Sequence, residues 1–274
     1  MLELMLAPGA ACLVLVLIHA YLGIHVVERG VIFVDLALAQ IAALGAVTGC
    51  LLGLDLHSTG SYLLSLGFAF VGAALFAVTR LKERDVPQEA VIGIAYVVAA
   101  AAAVLVLDRV PAEASHLKEM LVGNILFVTW GQVLKVACLY AAIGAFHYAF
   151  RDRFLLISCR PEEAASKGVG VRTWDFLFYV TFGIVVTSSV ELAGVLLVFS
   201  FLIVPAVCAM LFTKDFRIRL LIGWGLGTLA SLAGLAASAS LDLPTGAAIV
   251  CAFGVLTACA WTAGAFSARK LERT

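Results

Sequence analysis

Acidic side chains interrupt or flank several long apolar stretches of this sequence. Asp35 and Glu191 lie within or between apolar runs, and Glu89 and Asp175 each stand at the start of one. A charge inside a lipid-spanning segment is costly, so such a residue is a candidate for ion binding or proton transfer. Acidic groups also favour helix N-termini, which is the reading we adopt for Glu89 and Asp175. Asp35 and Glu191 therefore remain the acidic candidates for a transport pathway.

Divalent cations are bound by carboxylate, imidazole and amide groups. Within the apolar region Asp35, Gln40 and Glu191 supply such groups, and they form our predicted metal-binding set. Residues five apart on a helix point about 140° away from each other, so Asp35 and Gln40 do not easily chelate one ion together. Other candidates read as ordinary solvated loop residues on the outer side: Asp55, His57, His116 and Asp242.

Several motifs of enzymes are absent from the sequence. It contains no GxxxxGK[ST] phosphate loop, no GxSxG elbow and no His-x-x-x-His pair, so we predict neither nucleotide hydrolysis nor proteolysis. An intramembrane enzyme would need a catalytic constellation that these residues do not provide. We expect a protein without a cofactor of its own, whose energy for any active transport comes from another subunit or from an ion gradient.

The composition indicates a membrane protein. Hydrophobic residues make up 63% of the chain and charged residues 13%, whereas soluble domains carry about 25% charge. The formal net charge is zero, so the chain has no overall basic field of the kind that marks nucleic-acid binders. We therefore predict contact with membrane lipid and none with nucleic acid.

Nine apolar segments are long enough to be considered as membrane spans, since a spanning helix needs about 20 residues. The break at residues 188–191 is either a turn or a kink, so we predict an all-α polytopic fold with about eight or nine transmembrane helices in a single domain, 1–274. Residues 117–128 are too short to cross and predict a re-entrant or interfacial helix. No basic segment precedes the first span, which we expect to stay in the mature protein. The predicted spans are 8–27, 31–54, 61–79, 88–107, 131–150, 173–188, 192–212, 218–238 and 245–266.

The distribution of Lys and Arg predicts the orientation, because cytoplasmic loops carry these residues in excess. They collect at residues 80–84, 151–172, 214–219 and 269–273, while the connections 55–60 and 240–244 have none. This pattern places the C-terminus in the cytoplasm and, with nine spans, the N-terminus outside.

Five sequence blocks carry a more specific signal. They are Arg29-Gly30 followed by Asp35 and Gln40, Glu89-Ala-Val-Ile-Gly93-Ile94, Leu121-Val-Gly123-Asn124-Ile-Leu126, residues 162–170, and the run from Gly194 to Pro205-Ala206. In this order, over almost the whole chain, they resemble the permeases of bacterial zinc, manganese and iron ABC importers.

The resemblance implies partners and a docking segment. In that family two permeases pair, two ATPase subunits bind below and use the ATP, and an extracytoplasmic metal-binding protein delivers the ion. It implies a homodimer in the bacterial inner (plasma) membrane and a cytoplasmic coupling helix at residues 162–170. The predicted ATPase-coupling residues are Glu162, Glu163, Ala164, Ala165, Gly168 and Gly170.

One departure from the family concerns the metal. Family members place Asp and His four residues apart on the second span, where this chain has Leu36 and Gln40, with Asp35 one residue earlier. Either the helix is locally irregular, or Asp35 works with another span, or the substrate differs. We put zinc first, then manganese or iron. The alternative function is a secondary carrier driven by an ion gradient, with Asp35 and Glu191 as its proton-linked groups.

Overall fold

The computed structural model of the chain describes residues 2–55, 58–79, 87–107, 109 and 125–271. Over these ranges all regular elements are helical: eleven α-helices and one 3₁₀ turn at Ile125–Phe127. The helices are α1 Leu2–Glu28, α2 Val34–Leu51, α3 Thr59–Thr79, α4 Gln88–Leu107, α5 Trp130–Ala149, α6 Arg151–Cys159, α7 Pro161–Ser166, α8 Val171–Ala193, α9 Val195–Met210, α10 Phe216–Leu241 and α11 Thr245–Leu271.

The predicted all-α polytopic fold is confirmed. Among the described helices, α1, α2, α3, α4, α8, α10 and α11 are long and apolar enough to cross a membrane, and α5 with α6, bent by 76°, forms an eighth candidate. The shorter apolar helix α9 has 16 residues and coincides with the predicted span 192–212. Each of the nine predicted spans thus corresponds to a helix. Of the predicted short helix 117–128, residues 117–124 lie outside the described residues.

The connection between the sixth and seventh predicted spans differs from the prediction. The helix α8 continues through residues 188–191 as far as Ala193, and Gly194 separates it from α9. Ser188 does not interrupt the helix because its hydroxyl donates a hydrogen bond to the Ile184 carbonyl at 2.8 Å. A serine that bonds to its own helix in this way is compatible with a continuous span.

The chain forms two compact units. The first unit contains α1 as far as Val27, the first part of α5, and α9, α10 and α11. Its helices approach closely at small residues. A methyl group at Gly227 of α10 would lie 2.8 Å from Val16 of α1, and one at Gly234 would collide with the Ile249 backbone of α11. Close approach at small residues is how helices associate in lipid, where the hydrophobic effect contributes little between them.

The second unit contains α2, α3, α4, the last part of α5, and α6, α7 and most of α8. Here α2 packs against both α3 and α4. Gly45 of α2 faces Leu64 and Ser65 of α3, and Gly72 of α3 faces Leu38 and Ile41 of α2. The largest fully buried side chains of this unit are aromatic: Phe76, Phe154, Phe178, Tyr179 and Phe182.

We predict that Gly45→Ala destabilises the second unit. The added methyl group would lie 2.9 Å from the Leu64 carbonyl oxygen and from the Ser65 Cα, backbone atoms that cannot rotate away. The expected loss of unfolding free energy is about 1–3 kcal/mol, as for other overpacked sites. Thermal unfolding in one detergent measures it.

Gly93→Ala on α4 is the matched control, because nothing lies within 4 Å of a methyl group there. This change should be neutral or stabilising by up to ~1 kcal/mol, since alanine is the better helix former. Equal melting temperatures for the two variants would contradict the close approach of α2 and α3.

Candidate functional site

A buried ion pair connects three segments of the second unit. Arg29, which directly follows α1, donates a hydrogen bond from Nη1 to Oδ1 of Asp175 at 2.7 Å, and both side chains are 0% exposed. Its Nε donates to the Ser158 hydroxyl of α6 at 2.9 Å, and its guanidinium carbon lies 3.8 Å from the centre of the Phe178 ring. We call Arg29, Ser158 and Asp175 the Arg29 clamp. It joins the turn before α2 to α6 and to the first turns of α8.

The start of α2 is held by a second long-range contact. Oε1 of Glu89, in the first turn of α4, accepts the backbone N–H of Phe33 at 3.0 Å. Phe33 is the residue that precedes α2, where backbone N–H groups have no partner within the helix. Glu89 therefore caps α2 and not its own helix, which the sequence did not indicate.

Asp35 is buried in the first turn of α2, with 1% of its surface exposed. Its Oδ1 accepts the N–H of Leu36 at 2.7 Å. A carboxylate in this position stabilises the positive end of the helix. Asp35 thus has a structural partner close by, in addition to the pathway role predicted from its charge within an apolar segment.

The three predicted metal-binding residues are spread along the second unit. Gln40 is half-buried further along α2, and Glu191 is exposed near the end of α8. Glu191 follows Asp175 by 16 residues, roughly 24 Å along a continuous helix, so it lies far from the Arg29 end of α8. Within the described ranges no group of three or more His, Cys, Asp or Glu side chains is placed to hold a metal ion.

The predicted coupling residues surround α7, a helix of six residues. Its Ala164 is fully buried between Ile157 of α6 and Val171 at the start of α8. Glu162 and Ala165 are exposed. The helix therefore rests on α6 and α8 by one face and presents the other face to solvent.

The coupling segment is not helical throughout, as residues 162–170 were predicted to be. The helix ends at Ser166, and Gly168 adopts a positive φ of 71°. This conformation lets the Val169 N–H return to the Ala164 carbonyl at 3.0 Å, an arrangement that commonly ends helices. Gly168 and Gly170 belong to an exposed turn that leads into α8.

Glu163 is held by two cations of its own segment. Lys167 Nζ lies 2.7 Å from Oε1, and Arg160 Nη1 lies 3.3 Å from Oε2. The hydrogen bonds from Lys167 and then Arg160 keep the pKa of the Glu163 carboxyl below its usual range. Glu163 is therefore negatively charged at neutral pH, with its charge already partly balanced on the surface of α7.

Sequence reasoning missed the partners that make this site. Arg29 was noted only as part of the Arg29-Gly30 block, Ser158 was not considered, and Asp175 was read as an ordinary acid at a helix start. The available signal was the charge itself, because a basic and an acidic residue at the ends of apolar segments need partners.

Comparisons with known proteins agree with the sequence blocks. The model of the ABC 3 transport family matches residues 1–263. The chain is 26% identical over 240 residues to a protein of Haemophilus influenzae whose name is "Probable iron transport system membrane protein", covering 87% of this chain and 85% of the relative. It is 31% identical over 207 residues to the manganese import system permease protein ScaB of Streptococcus parasanguinis, covering 69% of this chain and 70% of the relative.

A solved structure shares the fold. PsaBC from Streptococcus pneumoniae in complex with Fab aligns with a TM-score of 0.76 and 21% sequence identity, covering 94% of this chain and 91% of that chain. At this level of identity the similarity concerns the arrangement of the helices.

We predict that Glu89→Ala lowers the stability of the second unit. The change removes the acceptor for the Phe33 N–H, and loss of a helix cap costs about 0.5–2 kcal/mol. Glu89→Gln keeps an acceptor oxygen and should retain most of the stability. Thermal unfolding of both variants measures the effect, with the exposed Glu162→Ala as control, and equal losses for Glu89→Ala and Glu162→Ala would contradict the capping role.

Proposed function

The chain belongs to the ABC 3 transport family, a multi-pass inner-membrane family, and we propose that it is the permease subunit of an ATP-driven importer of manganese or iron. The observation that supports this most is the family match over residues 1–263. The described helices agree with it, since seven of them, or eight with the bent pair α5 and α6, are long and apolar enough to cross a membrane. ATP hydrolysis belongs to a partner subunit in this proposal, and an extracytoplasmic binding protein supplies the ion.

Manganese and iron take precedence over zinc in this proposal. The two relatives described above are named for iron and manganese, whereas zinc came first from the sequence because it is common in the family. The residues favour the same order. Gln40 offers an amide where the family has a histidine, and hard oxygen donors suit manganese better than zinc.

The proposed ion pathway uses Asp35, Gln40 and Glu191 as separate contact points. Their spread along the second unit, from the start of α2 to the end of α8, is compatible with transient passage of an ion between single donors. In this proposal the three residues do not form one tight coordination sphere. Asp35 has an additional structural role through its bond to Leu36.

We assign docking of the ATPase subunit to the exposed face of α7. Two observations support this assignment. The helix α7 lies in the longest basic connection, and an excess of positive charge is typical of cytoplasmic connections. Its Ala164 packs against Ile157 and Val171. Because α7 is packed on one side and exposed on the other, a partner that displaces its exposed face also displaces the helices on its packed face. A second copy of the permease completes the proposed complex.

Reconstituted transport is the direct test of this function. Proteoliposomes with the permease, its ATPase subunit and its binding protein should accumulate Mn²⁺ or Fe²⁺ only when ATP and Mg²⁺ are present on the ATPase side. Zn²⁺ is tested in parallel, and zinc uptake without manganese or iron uptake would overturn the metal assignment. Uptake by the permease alone, driven by a pH gradient without ATP, would establish the alternative of a secondary carrier.

We predict that Glu163→Lys uncouples or releases the ATPase subunit. The change loses both ion pairs of Glu163 and puts three cations on one short stretch with Arg160 and Lys167. ATP-driven uptake should fall on the order of tenfold or more, within the range of coupling between sites, while the membrane fold remains intact. Uptake and co-purification of the ATPase subunit are measured together.

Asp152→Lys is the matched control for Glu163→Lys. It makes the same charge change on the neighbouring helix α6, at a side chain that is 92% exposed. Normal uptake in this variant would show that the effect belongs to α7. Normal uptake with Glu163→Lys would refute the docking assignment.

A further inference from the structure

The Arg29 clamp and α7 rest on the same two helices. Ile157, which supports Ala164 of α7, is adjacent in α6 to the clamp residue Ser158. Val171, the other support of Ala164, precedes the clamp residue Asp175 by four residues, about one turn of α8. A displacement of α7 therefore acts on residues next to, or one turn from, both partners of Arg29.

The clamp cannot stretch in the way that a surface ion pair does. Both charged side chains are fully buried, so no water is available to replace a lengthened bond between them. The two hydrogen bonds leave the guanidinium in different directions, and the Phe178 ring covers its face at 3.8 Å. Such a planar, doubly bonded arginine is fixed in orientation as well as in distance.

Arg29 lies five residues before Val34, the first residue of α2, the helix that carries Asp35. The backbone between Arg29 and Asp35 turns at Gly30, which has a positive φ. Glu89 of α4 then accepts the N–H of Phe33, the residue that precedes α2. If α6 and α8 move, they displace Arg29 with them. The displacement of Arg29 then moves the beginning of α2, the helix that contains Asp35 and Gln40.

We infer that the Arg29 clamp transmits the movement of α7 to the start of α2, and that Arg29, Ser158 and Asp175 are positioning residues for the coupling of ATP hydrolysis to ion transport. This inference rests on the proposed function. None of the three residues is required to touch the ion or the ATPase subunit. Their contribution is to make α6, α7, the first turns of α8 and the turn at Gly30 move as one body.

The test compares ions transported per ATP hydrolysed, using the complete complex in proteoliposomes with Mn²⁺ as the ion. Arg29→Lys keeps the charge but cannot reproduce two bonds from a planar group, and Asp175→Asn keeps the shape but removes the charge. In both variants the ATPase subunit should still co-purify and hydrolyse ATP, while Mn²⁺ per ATP falls on the order of tenfold, within the usual range of site-to-site coupling.

Thr181→Val is the control for a purely structural effect. Thr181 is a part-buried residue of α8, the helix that also contains Asp175, and its hydroxyl lies 2.8 Å from His147 Nε2. The variant should lower the melting temperature but leave Mn²⁺ per ATP at the wild-type value. If the clamp variants lose stability in the same way and keep the wild-type ratio, the clamp is only a structural contact and the inference is wrong.

Ser158→Ala decides the question if Asp175→Asn does not fold. It removes one hydrogen bond of the clamp and leaves the ion pair in place. A smaller decrease of Mn²⁺ per ATP, in the same direction as for Arg29→Lys, supports the inference, and an unchanged ratio overturns it. A wild-type complex without ATP-driven Mn²⁺ or Fe²⁺ uptake would instead refute the proposed function itself, before any variant is compared.

Discussion

The pairing of Arg29 with Asp175 is the interaction on which the second unit depends. An arginine is charged under all physiological conditions, so its complete burial requires a carboxylate at bonding distance, which Asp175 supplies at 2.7 Å. Removing one partner of such a buried pair costs about 3–5 kcal/mol, because the other charge is left without compensation. The ion pair therefore fixes the entrance to α2 relative to the beginning of α8, and the bond from Arg29 Nε to Ser158 adds α6.

Further long-range hydrogen bonds lie at the same end of the second unit. Glu89 caps α2 from α4, and Gln88 of the same turn donates to the Phe76 carbonyl and to the Tyr179 hydroxyl. The polar groups at this end of the second unit thus bond to one another across four helices. Apolar helices alone would be free to slide in lipid, because lipid tails are as apolar as the helix surfaces. Directional bonds at one end set their register.

The fold could be predicted from the sequence to a large extent, because membrane thickness dictates the length of each apolar segment. Each predicted span coincides with a helix, and among the described residues seven helices, or eight with the bent pair α5 and α6, are long and apolar enough to cross a membrane. The break between α8 and α9 was misplaced, since residues 188–191 resemble a loop in composition, whereas the Ser188 hydroxyl donates to carbonyl groups of its own helix and the helix continues. The position of Gly194 was visible in the sequence, but its backbone conformation was not.

The candidate site could be predicted only in part. The preference of acidic residues for helix starts was applied to Glu89 and Asp175, whereas Asp35, which also lies in the first turn of its helix, was interpreted only as a pathway residue. For Glu89 and Asp175 the same principle gave an incomplete answer, because their partners lie 56 and 146 residues away in sequence. Spacing along one chain contains no information about such distant pairs. The resemblance predicts the coupling segment at residues 162–170, and the helix there is shorter than expected, because it ends at Ser166.

The distance between Arg29 and Asp175 along the chain also sets an order of events during biosynthesis. Arg29 is synthesised 146 residues before Asp175, at a time when α2 to α7 do not yet exist. Until α8 is synthesised, the long arginine side chain can reach the aqueous boundary of the bilayer and keep its charge hydrated. The packing of the second unit is consequently completed late, because Arg29 is buried against Asp175 only after α8 has been synthesised. A chain that stops before α8 retains a hydrated arginine at the membrane surface, where the finished protein has a dry ion pair.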